Sequence, residues 1–99
     1  MYKLFEKIPE ASLEYVKSLI LSENITIKLK KSRKTKHGDF SVKKNGLCMI
    51  TINDDLNQFR FLITLIHEIS HYIAYKNYGS YIKPHGVEWK NIFKNLLLP

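Results

Sequence analysis

The chain has 99 residues, a 44% hydrophobic fraction, a net charge of +7 and one cysteine, Cys48. That length fits one small domain with a single core. One cysteine excludes an intrachain disulfide framework and a cysteine zinc ribbon, and suits a reducing compartment.

The start, MYKLFEKIPE, has no apolar stretch of the signal-peptide kind. No apolar run reaches membrane-spanning length, so the expected location is the cytoplasm, with no membrane partner. Residues 9–21 read as a helix. Pro9 suits a first turn, Glu10 complements the helix dipole, and Leu13, Val16, Leu19 and Ile20 recur at helical spacing. Ile25, Ile27 and Leu29 alternate with Thr26, Lys28 and Lys30, the pattern of a half-buried strand. A polar, basic loop follows. Phe40 and Val42 suggest a second strand, Asn45-Gly46 a hairpin turn with positive φ angles, and LCMITIN (47–53) a third strand.

Asp54 or Asp55 can cap the next helix, and Asp55 with Gln58 resembles a capping box. From Leu56 the helical pattern runs about six turns to Gly79, a good stop residue. After Pro84 and Gly86, a last helix places Trp89, Ile92, Phe93, Leu96 and Leu97 on one face. The expected fold is α+β over residues 1–99. It comprises an N-terminal helix, a three-stranded antiparallel-type sheet, a long helix and a C-terminal packing helix. The apolar end NLLLP reads as a cut end or as packing under the domain.

The long helix carries HEISH (67–71) inside its most apolar stretch. Residues four apart share a helix face, so His67 and His71 can aim at one point, as half of a tetrahedral zinc site. Glu68 projects about 100° away. It can therefore sit beside a metal without ligating it, and take a proton from an attacking water. Single buried histidines are usually core residues with a hydrogen-bond partner. Two histidines and a carboxylate in an apolar helix would instead be costly unless a metal joined them. A third ligand is required. The metzincin pattern is excluded, because Ala74 and Asn77 stand where its glycine and last histidine belong. His85 and Glu88 are the remaining candidates, and His85 is preferred because a carboxylate in a first helical turn has a plain role beside the dipole. Three histidines leave a fourth position open, as in catalytic sites.

LIHEISH on a long helix, followed by PHGVEWK opening another, resembles the SprT-like zinc metallopeptidases, the family that includes the Spartan protease. SRKTKHGDFSV and ITINDDL resemble the basic loop and strand that precede the metal helix in that family. The resemblance spans roughly Ile25 to Leu98 and implies a zincin-like fold. It implies zinc held by His67, His71 and His85, Glu68 as general base, and a protein or peptide substrate. In Spartan-like members that substrate is bound or crosslinked to DNA. Many relatives carry a zinc ribbon or further helices after the catalytic part; neither is expected within residues 1–99.

The segment 28–44 carries the whole net charge of +7. Lysines alternating along 25–30 are what an edge strand needs to resist edge-to-edge pairing. Alternatively Lys30, Lys31, Arg33, Lys34 and Lys36 contact DNA phosphates. Aromatic residues for base stacking are missing there, since Phe40 should face the core. Two rival readings stay open. One is a non-catalytic nucleic-acid-binding module with structural zinc. The other is an HExxH peptidase whose third ligand is Glu88. A zincin-like peptidase would bind substrate as an added strand on an edge near the metal helix. Residues 47–53 are a candidate for that edge, and Tyr72, Tyr78 and Tyr81 are candidates for oxyanion stabilisation.

Overall fold

The computed structural model describes residues 3–97. The last two residues of NLLLP, Leu98 and Pro99, lie outside that range. A 3-10 turn (Lys3–Glu6) leads to a second one (Glu10–Ser12) after Pro9, which runs into helix α1, Leu13–Ile20. The start expected at Pro9 is thus a 3-10 turn, closed by Ser12 N–H donating to the Pro9 carbonyl at 3.0 Å. Strands β1 (Ile25–Lys30), β2 (Gly38–Val42) and β3 (Cys48–Asn53) follow, then helix α2 (Gln58–Tyr78) and helix α3 (Val87–Leu97). Among the described residues, no helix is long and apolar enough to cross a membrane.

The sheet order is β1-β3-β2. β2 and β3 form an antiparallel hairpin, but β1 lies parallel to β3, so the sheet is mixed rather than antiparallel. The reason is burial. β3 is the most apolar strand, and the central place pairs both of its edges. The seven-residue loop 31–37 carries the chain across to the far side, leaving the lysine-bearing β1 and the short β2 as edges. Lys28 and Lys30 are exposed on β1, as edge protection requires. The hairpin turn also differs from expectation. Only Gly46 has positive φ (86°). Gly46 N–H donates to the Lys43 carbonyl at 2.9 Å, and Asn45 Oδ1 accepts from Leu47 N–H at 3.0 Å. This is a turn followed by a left-handed glycine, the longer hairpin form.

Ile25, Ile27, Cys48, Ile50 and Ile52 turn one sheet face toward α1 and α2, meeting Val16, Ile20, Phe61, Leu65 and Ile69 in a single core. Each fully buried side chain of this kind stabilises the fold by about 1.5–3 kcal/mol. α3 packs on α2, chiefly through Trp89, with Ile92, Phe93 and Leu96 half-buried and Leu97 exposed. Tyr15 donates to the Leu96 carbonyl and ties the end of α3 to α1.

The cap of α2 is Asn57, whose Oδ1 accepts from Arg60 N–H at 2.9 Å; it is not Asp54 or Asp55. Those two aspartates lie in the turn leaving β3, where Asp54 N–H donates to the Lys30 carbonyl at 2.8 Å. The next side-chain acceptor in reach of the first helical turn is Asn57. Gly79 ends α2 with φ 72°, as its position suggested.

Candidate metal centre

His67 and His71 stand one turn apart on α2, and His85 reaches them from the loop before α3. His71 Nε2 lies 3.0 Å from His85 Nε2, and His85 Nε2 lies 3.3 Å from His67 Nε2. All three ligand atoms fall within 4.8 Å of one another. Tetrahedral zinc with Zn–N bonds of about 2.0–2.1 Å sets its ligand nitrogens about 3.3 Å apart, so this donor set fits such an ion. Burial lowers the pKa of His67, and the His85 charge adds to it. Burial followed by the neighbouring histidines takes His71 down to about 4. Neutral rings with lone pairs turned together are the state a cation requires. The cluster includes His85 and not Glu88.

His85 is the one non-glycine residue with positive φ (59°) among those described. That conformation is costly for a side chain bearing a Cβ and persists where the surroundings impose it. Here Gly86 N–H donates to the Lys83 carbonyl at 2.9 Å, closing the turn that aims the imidazole back at α2. Trp89, the only tryptophan, seats the cluster. Its ring stacks on His71 (5.2 Å, 29°) and meets His67 and His85 edge-on, both at 4.8 Å. Phe93 stacks behind it at 4.9 Å.

Glu68 is 6% exposed, with Oε2 4.0 Å from His67 Nε2. Burial pushes its pKa up to about 7, Asp39 adds to this, and Lys36 and Arg33 oppose it. A carboxylate near pH 7 can both take and return a proton. The side chain is held by an unexpected neighbour, Gly38. A Cβ built there would lie 2.8 Å from Thr64 Cγ2, and 3.2 Å from both Glu68 Cγ and the Thr51 carbonyl. β2 therefore reaches α2 at Glu68 only because residue 38 has no side chain.

The edge strand beside the centre is thus β2. Residues 47–53, considered for that role, contain the central β3. Along one side of the centre runs a cleft of about 790 Å³, lined by Gly38, Phe59, Ile63, Thr64, His67 and Glu68 among others. His37 is exposed and also lines it. Of the tyrosines considered for oxyanion stabilisation, Tyr72 is turned elsewhere: its hydroxyl donates to Glu23 Oε1 at 2.9 Å. Tyr78 and Tyr81 are exposed, the latter at 96%.

The basic loop divides into two parts. Arg33 folds back onto the sheet. Its Nε donates to Asn53 Oδ1 at 2.7 Å, and its Nη1 to Thr51 Oγ1 at 3.1 Å. Buried Asn53 also donates to the Lys36 carbonyl at 2.8 Å and clamps the loop just before Gly38. Lys36 pairs with Asp39 at 3.6 Å, whereas Lys30, Lys31 and Lys34 are exposed. The sequence offered a weak signal for the clamp: Asn53 is a polar residue ending an apolar strand.

The fold and this centre define a class: an α+β domain of three helices and a mixed three-stranded sheet, with three histidines close enough to bind a metal ion. The pattern of the SprT-like family matches residues 4–97, nearly the whole chain. The chain belongs to the SprT-like family. No curated protein matches it.

Proposed function

We propose that the protein is a zinc-dependent endopeptidase of zincin-like architecture, with His67, His71 and His85 as metal ligands and Glu68 as general base. The observation that carries this reading is the buried Glu68 carboxylate, 4.0 Å from His67 Nε2 and opening onto the cleft beside a free strand edge. A zinc ion held by the three histidines would polarise the scissile carbonyl and bring the pKa of water at its open position to about 7. The free edge of β2 binds the substrate backbone as an added strand, a sequence-tolerant mode. Glu68 accepts the proton of the attacking water and returns it to the departing amine, for which a pKa of about 7 is suited. The burial of Glu68 strengthens the charge interactions that its own carboxylate makes there.

DNA-associated proteins are the substrates we assign to this chemistry, with Lys30, Lys31, Lys34 and Lys36 contacting phosphates in the cytoplasmic compartment. The support is the exposure of these lysines, Lys30 at the end of β1 and the other three on the loop that leads from it to β2. Arg33 is left out of that surface because its guanidinium is engaged by Asn53 and Thr51.

The test is metal content together with cleavage of an unfolded protein, with and without DNA and chelator. One zinc per chain is expected, lost in His85→Ala and kept in Glu88→Ala. Loss of zinc in Glu88→Ala alone would transfer the third ligand to Glu88. A zinc-loaded chain that binds DNA and cuts nothing would leave a binding module instead.

A further inference from the structure

The cleft beside Glu68 has one wall that the chemistry above does not use. Phe59 and Ile63 are 66% and 48% exposed, although both are large and apolar. They stand one turn apart on α2, and the next turn on that face carries His67. Single exposed apolar residues are ordinary. These two differ because they form a continuous ridge leading to a metal ligand, and both line the same cleft as Glu68. They also flank a second, more apolar groove of about 400 Å³ with Leu62, Ile66 and Leu96. The ridge thus offers apolar surface to both spaces, with room for a large side chain, although Asn57 and Arg60 also line the cleft on the Glu68 side. Nothing in the packing of α2 requires it, since the core is built from Phe61, Leu65 and Ile69 on the opposite face.

The direction of a bound chain follows from β2. Gly38 lies against Thr64 and Glu68, while Phe40 meets Tyr72 and Tyr75 at ring distances of 6.3 and 6.1 Å. β2 therefore runs in the same sense as α2. A strand added to its free edge pairs more stably when antiparallel. It then enters near Tyr75, passes the histidines and leaves toward Phe59. The residue that lies against Ile63 is the one after the bond beside His67 and Glu68.

We propose that Phe59 and Ile63 form a specificity subsite that takes a large apolar side chain on the residue following the scissile bond. The inference rests on the peptidase reading for its register and deepens it by naming the substrate class: extended polypeptide with leucine-like or aromatic residues at that position.

The experiment uses the full zinc-loaded chain and binding, not turnover. Two peptide-mimetic hydroxamates anchor their register through the metal-binding group. They differ only at the position standing for the residue after the bond, with isobutyl in one and hydrogen in the other. Calorimetry gives both dissociation constants for the wild type, Phe59→Ser and Ile63→Ser. The isobutyl compound is expected to bind about tenfold more tightly to the wild type, about 1.4 kcal/mol. The ratio should fall toward one in both variants while their zinc content is unchanged. Both side chains are largely outside the core, so the variants should fold. Equal affinities in the wild type, no binding of either compound, or a ratio that survives both substitutions would each overturn the subsite. Absence of peptide cleavage with the binding preference intact would instead defeat the peptidase reading and leave the subsite standing.

Discussion

Gly38→Ala is the perturbation whose effect the structure fixes most closely. Residue 38 does not need positive φ, so alanine is tolerated by the backbone. In a strand it should even gain about 0.5–1 kcal/mol over glycine through lower unfolded-state entropy. Against this stand the contacts of the new methyl: 2.8 Å to Thr64 Cγ2, and 3.2 Å to Glu68 Cγ and to the Thr51 carbonyl. Overpacking of this kind costs about 1–3 kcal/mol. One contact is with backbone, which cannot rotate away, so the upper half of that range applies and the net loss is about 1–2 kcal/mol. For a domain near this size each kcal/mol is about 4–8 °C in Tm, so melting should fall by about 5–15 °C. Thr64→Ser removes the atom at 2.8 Å. The double variant should recover part of the loss, with a coupling of at least about 0.5 kcal/mol by thermal unfolding of all four proteins. A Gly38→Ala chain as stable as the wild type, or no coupling to residue 64, would refute the close approach of β2 to the metal helix.

Trp89→Ala should weaken zinc binding by about ten- to a hundredfold, because the ring that orients three imidazoles is lost; Trp89→Phe should keep most of it, as judged by chelator competition. Asn53→Ala should cost about 1–3 kcal/mol in urea unfolding, since it strands Arg33 Nε and the Lys36 carbonyl together. Glu23 is held below its ordinary pKa by hydrogen bonds from Lys76, first, and Tyr72. The unfolded chain therefore takes up its proton first as pH falls, and the stability this residue contributes is present at neutral pH and lost toward acid. Glu23→Gln should be less stable than the wild type at neutral pH. The gap should begin to close as pH falls through the ordinary carboxylate range and close fully below the lowered pKa, as denaturant midpoints across pH will report.

Local signals in the sequence were sufficient for elements whose causes are local. The spacing of HEISH within an apolar helix, the Gly79 stop and the Pro84–Gly86 turn each depend on neighbours a few residues away, and the histidines they position come together. Strand order was not legible in the same way. β1 chooses β3 as its partner because β3 is the more apolar strand, a competition between segments about twenty residues apart. The helix cap fell to Asn57 because Asp54, Asp55 and Asn57 could all serve, and only the turn leaving β3 decides among them. Arg33 looked like any member of a charge run; that its guanidinium faces Asn53 and Thr51 depends on where loop 31–37 lands. Gly38, in a loop-like HGD context, gave no sign that its missing side chain admits Glu68.

The central claim is that Glu68 is the proton carrier of a peptidase and not a ligand. Glu68→Gln keeps the size of the side chain and removes its capacity to accept a proton at neutral pH. The deciding measurement is zinc content and fragment accumulation from an unfolded protein substrate, side by side for wild type and Glu68→Gln. Full zinc occupancy is expected in both, with a rate lower by about a hundredfold or more in the variant. Cleavage by Glu68→Gln at the wild-type rate would contradict the claim, and so would loss of zinc from a variant that remains folded.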